Sequence, residues 1–211
     1  MYSLHVPLHL VSHPIAQDAL RSLRDRTTTA SHFRRLTHRI SLLLVAEATR
    51  DLRTIAVDVE TPLESASGRR LDSDVVAVPV LRAGLAMLDA VLDLLPHARV
   101  AHIGLQRDEL TAIASQYLSK LPPDLSEATV LLVDPMLATG GSAIQAAEQI
   151  RRAGARDVRL VCIVAAPEGV AAFSEAHPDI PIYTPAVDRQ LNAHKYILPG
   201  LGDFGDRLYG T

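Results

Sequence analysis

The residues best suited to chemistry in this 211-residue chain lie between positions 130 and 142. An apolar run at 130–133 ends in Asp134, and a short loop then leads into Thr139-Gly140-Gly141-Ser142. Glycines let several backbone N–H groups point at one centre, and the helix expected after them adds its own free N–H groups and the positive end of its dipole. Together with the hydroxyls of Thr139 and Ser142, the segment predicts a cradle for a phosphate monoester.

Asp134 suits a different part of the same ligand. A carboxylate only accepts hydrogen bonds and would be repelled by phosphate, so it fits the vicinal hydroxyls of a sugar. A phosphate site beside a diol site describes a ribose 5-phosphate. No lysine follows the glycines and no G-x-G-x-x-G occurs there, which disfavours the Walker and dinucleotide-binding loops. The alternative is an ordinary strand–turn–helix joint in which Ser142 caps the helix.

Two arginines also follow apolar runs. Arg82 opens the tripeptide Arg-Ala-Gly after the run at 75–80, and Arg107 follows the run at 100–105. Because the planar guanidinium fork binds phosphate oxygens in pairs, either arginine could bind a diphosphate. Taken alone, each would more often be a solvated surface charge.

Apolar runs alternate with helical patterns along the chain. The predicted strands cover residues 75–80, 100–105, 129–133 and 158–165, and the predicted helices cover 32–52, 85–95 and 142–153. Ser31 is expected to cap the first helix, Gly154 to end the last, and residues 65–70 to form a turn. This alternation predicts an α/β fold, a doubly wound and mostly parallel sheet flanked by helices. Ligands bind beyond the carboxyl ends of such strands, where the candidate residues lie.

Composition indicates one globular domain over residues 1–211, since 48% of the residues are hydrophobic. A net charge of -3 gives no support to a nucleic-acid or anionic-membrane partner. The single cysteine, Cys162, cannot form an intramolecular disulfide, which fits a reducing compartment. No signal peptide is evident and no apolar run reaches the roughly 20 residues of a membrane span. These features predict a cytoplasmic protein. The histidines do not show the close spacing of a metal-ligand motif.

Residues 130–142 resemble the motif with which type I phosphoribosyltransferases bind phosphoribosyl diphosphate (PRPP). Many members of that superfamily have two adjacent acids where this chain has Asp134-Pro135. The string Asp-Pro-Met-Leu-Ala-Thr-Gly-Gly-Ser is nevertheless similar to the uracil phosphoribosyltransferase family. Three further stretches, at 79–85, 165–169 and 196–206, resemble the same family in the same order. The likeness runs from about residue 12 to the end of the chain.

The resemblance implies the type I phosphoribosyltransferase fold with a small hood formed from the terminal segments. It implies transfer of the 5-phosphoribosyl group of PRPP to uracil, giving UMP and diphosphate in pyrimidine salvage. It assigns catalysis to Asp134, Arg107 and Asp203, and uracil binding to Ile197, Gly202, Asp203 and Phe204. It assigns PRPP binding to Arg82, Ala83, Gly84, Arg107, Asp134, Pro135, Met136, Leu137, Ala138, Thr139, Gly140, Gly141, Ser142 and Asp203.

The resemblance also implies Mg²⁺, bound mainly through the diphosphate of PRPP with no protein ligand assigned. It further implies a homo-oligomer, a dimer or a tetramer, and leaves activation by GTP open. Phe204 stands where bacterial relatives commonly have a small residue. Its ring is expected to stack on the base or to narrow the pocket.

Three rival hypotheses remain at this point. The first is a phosphoribosyltransferase for another base; orotate would need a basic group, for which Arg189, Lys195 and Arg207 are candidates. The second is a regulator that senses nucleotides with this fold and binds RNA, which would call for a basic surface. The third is a catalytically silent homologue, which would be expected to lack Asp134 or the Thr-Gly-Gly-Ser run.

Overall fold

The computed structural model describes residues 7–107 and 114–211, and at 106, 107 and 114–116 it describes the backbone alone. The strands are β1 (Leu8–Leu10), β2 (Thr54–Glu60), β3 (Ser65–Leu71), β4 (Asp74–Leu81), β5 (Arg99–Val100), β6 (His102–Arg107), β7 (Ala114–Lys120), β8 (Ala128–Val133), β9 (Met136–Leu137), β10 (Asp157–Val161), β11 (Val164–Ala165), β12 (Ile182–Thr184), β13 (Gln190–Leu191) and β14 (Ile197–Leu198). The helices are α1 (Pro14–Arg24), α2 (Ala30–Ala48), α3 (Leu85–Leu94), α4 (Gly141–Arg152), α5 (Pro167–Ala176) and α6 (Phe204–Tyr209).

A large sheet forms the centre of the described chain. Its strands follow the order β1-β12-β10-β8-β4-β6-β7, and β5 lies beside β4. Neighbouring strands run parallel except β6 and β7, which are antiparallel. The prediction of a doubly wound, mostly parallel sheet is therefore confirmed.

Alternate residues of the central strands belong to two different cores. In β4, Val75 and Ala77 pack with α1, α2 and α3, whereas Val76 and Val78 pack with α4 and α5. Successive side chains of a strand point to opposite faces, so a strand covered on both faces must be apolar at every position. This explains why the sequence shows unbroken apolar runs rather than alternation.

The prediction of a turn at residues 65–70 was wrong. That segment belongs to β3, which pairs antiparallel with β2 from Thr54–Leu71 to Glu60–Ser65. Most side chains of both strands are exposed, so the ribbon carries neither an apolar run nor a clear alternation. Its small and charged residues consequently looked like a loop.

Two other predictions needed smaller corrections. The run at 158–165 is divided between β10 and β11, because the chain leaves the main sheet and Val164 pairs with Met136 in a second, two-stranded sheet. The run at 100–105 is likewise divided between β5 and β6. Helix α2 begins at Ala30 and ends at Ala48, and its N-cap is Thr29, whose hydroxyl accepts the His32 N–H at 3.4 Å.

The C-terminal helix α6 packs against α2. The rings of Phe33 in α2 and Phe204 in α6 meet edge to face with centroids 5.2 Å apart. The guanidinium of Arg207 lies 4.7 Å from the centre of the Phe33 ring. Among the helices of the described residues, none is long and apolar enough to cross a membrane.

The buried side chain of Arg159 in β10 ties α2 to the sheet through a network with two partly exposed carboxylates. Its guanidinium donates to both carboxylate oxygens of Asp157, at 3.1 and 2.9 Å, and to the carbonyl of Ala48 at 2.6 Å. It also contacts the Asp51 carboxylate. Burial opposes the charge on Asp157, but hydrogen bonds from Arg159 and Thr129 outweigh it and lower the pKa of this carboxyl.

Replacing Asp157 by asparagine is expected to lower the free energy of unfolding by about 1 kcal/mol at pH 7. A carboxyl whose pKa is lowered by folding stabilises the protein above its unfolded pKa, and this contribution is lost as the pH falls through the folded pKa. The difference between wild type and variant should therefore shrink as the pH falls below about 4. Urea unfolding at several pH values measures the difference in free energy of unfolding between wild type and Asp157→Asn. Asp18→Asn, which changes an exposed carboxylate, is the control. A constant difference at all pH values would contradict the role of the charge.

Candidate active site

The segment after β8 forms a small concavity at the carboxyl edge of the sheet. Asp134 directly follows the strand, and its N–H donates to the Val161 carbonyl at 3.2 Å. The Asp134 Oδ1 accepts a hydrogen bond from the Met136 N–H at 3.4 Å. Residues from Asp134 to the first turn of α4 line this concavity: Asp134, Met136, Leu137, Ala138, Gly140, Ser142 and Ala143. The strand-end carboxylate and the glycine loop thus share one surface, as the sequence pattern requires.

The helix that follows the glycine loop begins without a side-chain cap. Gly140 is the N-cap, has φ +84°, and accepts the first helical bond from the Ile144 N–H at 2.9 Å. Within the described chain no side chain caps α4, and Ser142 lies inside the helix. The interpretation of Ser142 as a cap was therefore wrong. The first N–H groups of a helix have no partner within it, and such a helix start suits the binding of an anion.

The loop after β4 lies directly against the end of β8. Its Leu81–Arg82 peptide bond is cis, and the Gly84 N–H donates to the Val80 carbonyl at 2.8 Å. A Cβ at Gly84 would lie 2.5 Å from the Val133 carbonyl oxygen and 2.7 Å from Val80 backbone atoms, so only glycine fits. This close approach brings the Arg82 loop beside Asp134, which follows Val133.

Arg82 is exposed at this edge. No hydrogen bond or ion pair joins its guanidinium to the residues that the structure describes, so the planar fork can receive a ligand. Arg107 is the last residue of β6, which pairs with β4 on the side away from β8. Its side chain lies outside the described residues. Its assignment therefore stays a prediction.

Residues 165–169 matched the family motif without a chemical reason, and the structure provides one. The Ala166 N–H donates to the Leu137 carbonyl at 2.9 Å. A Cβ at Gly169 would lie 2.4 Å from the Ala138 carbonyl oxygen. Helix α5 therefore supports the glycine loop through direct backbone contact. A side chain at position 169 would displace the loop.

The C-terminal segment assigned to the base is shaped by unusual backbone geometry. Gly200 and Gly202 have φ of +60° and +82°, and the Leu198–Pro199 peptide bond is cis. Ile197 is buried, whereas Gly202 and Asp203 are exposed. Asp203 is the N-cap of α6, because its Oδ1 accepts the Asp206 N–H at 2.9 Å.

The expectation that the Phe204 ring stacks on the base or narrows the pocket was wrong. Phe204 is only 3% exposed and packs in the core against Phe33. An aromatic side chain at the start of an amphipathic helix gains most by burying its large apolar surface. Only the backbone of Phe204 is left to face a ligand.

Arg207, a candidate partner for the carboxylate of orotate, instead hydrogen-bonds to the backbone of the terminal segments. Its guanidinium donates to the carbonyls of Leu201 at 2.8 Å, Asp25 at 2.5 Å and Leu23. It therefore fixes the terminal segments to one another. Arg189 and Lys195 are exposed.

Sequence reasoning missed Arg24 and Asp188, which are joined by an ion pair beside the C-terminal segment. The available signal was an acidic residue four positions after β12, at the same sheet edge as Asp134. A partner 164 positions away cannot be read from local spacing.

Cys162 and the possible metal ligands bear on the chemistry as well. Burial raises the pKa of the Cys162 thiol to about 12, and the nearby Asp134 carboxylate adds to the rise while a bond with Thr184 opposes it. The thiol therefore stays protonated and is a poor nucleophile.

Within residues 7–107 and 114–211, no group of three or more His, Cys, Asp or Glu could hold a metal. Binding of Mg²⁺ mainly through the diphosphate of PRPP, with no protein ligand assigned, stays a prediction.

A larger cavity of about 200 Å³ lies elsewhere, between α2, α3 and α6. Its lining includes Arg34, His38, Asp89 and Tyr209. Arg34 is partly used, since it donates to the Leu208 carbonyl at 2.7 Å. The smaller concavity remains the candidate site, because it combines free helix amides with a carboxylate.

Comparison with known proteins decides the family. A model of the uracil phosphoribosyltransferase family matches residues 10–211. The chain belongs to that family. Curated relatives named uracil phosphoribosyltransferase include one from Rhodococcus opacus, 49% identical over 205 residues, which span 97% of this chain and 98% of the relative. Another, from Dictyoglomus thermophilum, is 51% identical over 203 residues, with 96% and 98% coverage.

Solved structures agree with the fold. The AQ2163 protein from Aquifex aeolicus superposes with a TM-score of 0.92 at 36% identity, covering 97% of this chain and 98% of that one. A hypoxanthine phosphoribosyltransferase from Staphylococcus aureus superposes with a TM-score of 0.51 at 14% identity, with 72% and 74% coverage, and supports the fold alone. The type I phosphoribosyltransferase fold predicted from the sequence is confirmed.

Proposed function

We propose that the protein transfers the 5-phosphoribosyl group of PRPP to uracil, giving UMP and diphosphate. The observation that carries the proposal is the concavity in which Asp134 and the uncapped amides of α4 lie together. This pairing suits the 5-phosphate and the hydroxyls of one ribose. Membership of the uracil phosphoribosyltransferase family supports uracil as the acceptor.

Each part of PRPP has a proposed partner in the chain. The amides of Gly141, Ser142 and Ala143, with the hydroxyls of the loop, bind the 5-phosphate. Asp134 accepts hydrogen bonds from the ribose hydroxyls. Arg82 binds the diphosphate, together with Arg107 as the family likeness implies. The same likeness implies that Asp203 contacts PRPP or its metal ion. A Mg²⁺ ion held by the diphosphate would supply neutralisation of part of the charge on this leaving group.

The reaction itself needs no covalent nucleophile from the protein. The bond between ribose C1 and diphosphate breaks and its electron pair leaves with the diphosphate, while uracil N1 forms a bond to C1 from the opposite face. The N1 proton passes to a diphosphate oxygen or to water. The chain contributes the positioning of two substrates and the stabilisation of charge at both ends of the breaking bond. Asp134 stabilises the positive charge that develops on the sugar.

The base is read by backbone groups. Uracil presents an acceptor–donor–acceptor edge, which N–H and C=O groups match without a charged side chain. The irregular segment from Ile197 to Asp203 supplies such groups, since Gly202 has φ +82° and is exposed outside the strands and helices. Phe204 takes part only through its backbone.

A base panel tests the proposal directly. Purified protein is incubated with PRPP and Mg²⁺ and, separately, with uracil, orotate, adenine or hypoxanthine, and nucleotides are quantified by chromatography. UMP from uracil, with the other bases at background, is the expected result. Product from another base alone would reassign the acceptor, and no product at all would favour a regulatory or silent homologue.

Arg82→Ala is expected to raise the KM for PRPP by about tenfold or more while the KM for uracil stays within about twofold. The reason is that only the diphosphate meets this guanidinium. Initial rates at varied PRPP and uracil measure both constants. Arg156→Ala, which removes an exposed arginine just before β10, is the matched control. An unchanged KM for PRPP would remove Arg82 from the site.

We also propose that the chain forms a homo-oligomer, a dimer or a tetramer. The β2–β3 ribbon supports this, because Val59, Leu63 and Leu71 are exposed on it and an isolated two-stranded ribbon is marginally stable in water. Packing against a second copy would bury these side chains, and the mass in solution tests the idea. Activation by GTP and a cytoplasmic location stay predictions.

A further inference from the structure

Arg24, the last residue of α1, and Asp188, just before β13, form a two-pronged ion pair. The two terminal nitrogens of Arg24 donate to the two carboxylate oxygens of Asp188, at 2.7 and 2.6 Å. The side chains are 25% and 5% exposed, so the pair is largely shielded from water. Charge-assisted bidentate pairs of this kind fix geometry as well as adding stability.

The pair holds both polar backbone groups of a single residue, Gly200. The Gly200 N–H donates to Asp188 Oδ2 at 2.8 Å, and the Gly200 carbonyl accepts from Arg24 Nη1 at 2.9 Å. Gly200 has φ +60°, and a Cβ there would lie 2.1 Å from the Ile197 carbonyl oxygen. The ion pair therefore clamps the tight turn between Ile197 and Gly202, two positions assigned to the base.

Asp188 is also tied to the phosphate loop on its other side. Its N–H donates to the Ala165 carbonyl at 2.8 Å, and the adjacent Ala166 N–H donates to the Leu137 carbonyl at 2.9 Å. Leu137 lines the concavity that holds Asp134. A short hydrogen-bonded path thus runs from the phosphate loop through Asp188 to the Gly200 turn.

We propose that Arg24 and Asp188 are a positioning pair, which sets the distance of the base-binding turn from the bound phosphoribosyl group. The inference rests on the proposed function, since it concerns how uracil meets PRPP. Two reactants held by separate loops react well only when both loops are placed accurately, and a displacement of about 1 Å can cost on the order of 100-fold in rate. Neither residue touches the reacting atoms.

Two conservative variants test the pair. Arg24→Lys keeps the charge but loses the planar fork, and Asp188→Asn keeps the shape but loses the charge. Each is expected to raise the KM for uracil about tenfold or more, with the KM for PRPP changed less than about twofold. Equilibrium binding of PRPP with Mg²⁺ in the absence of uracil should match wild type. The double variant should be no worse than the worse single one, because the pair acts as a unit.

Arg21→Lys, on the same helix with an exposed pair to Asp18, is the matched control, and circular dichroism melts report the folded state. If wild type forms UMP but both variants keep the wild-type KM for uracil, the positioning role is wrong while the proposed function stands. A parallel rise in the KM values for uracil and PRPP, or loss of folded protein in both variants, would show that the pair is only structural. Either result would overturn the positioning role. If wild type forms no UMP, the proposed function falls and the positioning role falls with it.

Discussion

Asp134→Asn is expected to lower kcat by about 100-fold or more while the melting temperature stays close to that of wild type. Asparagine has nearly the same volume as aspartate and Asp134 is only half-buried, so the fold should tolerate the change. In the proposed mechanism, the variant loses the negative charge that stabilises the developing positive charge on ribose. It also replaces one acceptor oxygen by a donor, which mismatches the ribose hydroxyls.

Initial rates with saturating PRPP and uracil, alongside a thermal melt, measure both effects. Asp124→Asn is the control, because Asp124 is an exposed carboxylate whose Oδ1 accepts the Ser126 N–H at 2.8 Å, in a turn before β8. Turnover at the wild-type rate in Asp134→Asn would remove this residue from catalysis. A drop in kcat accompanied by an equal drop in the control would point to a general effect of charge.

Gly84→Ala is expected to have the largest effect on both folding and substrate binding. The added Cβ would lie 2.5 Å from the Val133 carbonyl oxygen and 2.7 Å from the Val80 nitrogen and oxygen. All three are backbone atoms of β8 and β4 at the centre of the sheet, so they cannot move aside as a side chain would. We expect a loss of roughly 3 kcal/mol or more in unfolding free energy.

In the folded fraction, the Arg82 loop should be displaced and the KM for PRPP should rise by about tenfold or more. Urea unfolding and initial rates provide the two measurements. Gly68→Ala is the matched control, because a Cβ at Gly68 would meet nothing closer than 3.8 Å. An alanine variant with wild-type stability and KM would show that the close approach at Gly84 is not required.

The part of the fold that the sequence predicted is the part with local determinants. Strands β4 and β8 are apolar at nearly every position because they are covered on both faces, and this pattern is visible without a structure. The phosphate loop was predictable for a similar reason, since its strand, carboxylate, glycines and helix are consecutive in the chain. The β2–β3 ribbon was not predictable, because its residues pack against little else among the described elements.

The site was predicted less completely than the fold, and the failures have a common cause. The role of the Ala165–Gly169 stretch depends on its backbone approach to Ala138, which no side-chain type reveals. The orientation of Phe204 is decided by Phe33, far away in sequence. In each case a contact between distant segments decides the outcome, whereas residue types report mainly on local structure.

The phosphate and base segments have a consequence for how the protein can evolve. In the proposed function, much of what faces the ligands is main chain, namely the first amides of α4 and the irregular segment from Ile197 to Asp203. Every residue except proline carries the same N–H and C=O groups, so substitutions at positions that do not require glycine leave the recognition surface chemically intact. Insertions and deletions are different, because adding one residue between Ile197 and Asp203 shifts every following peptide group. New base preferences should therefore arise in this lineage through changes in loop length more readily than through point substitutions.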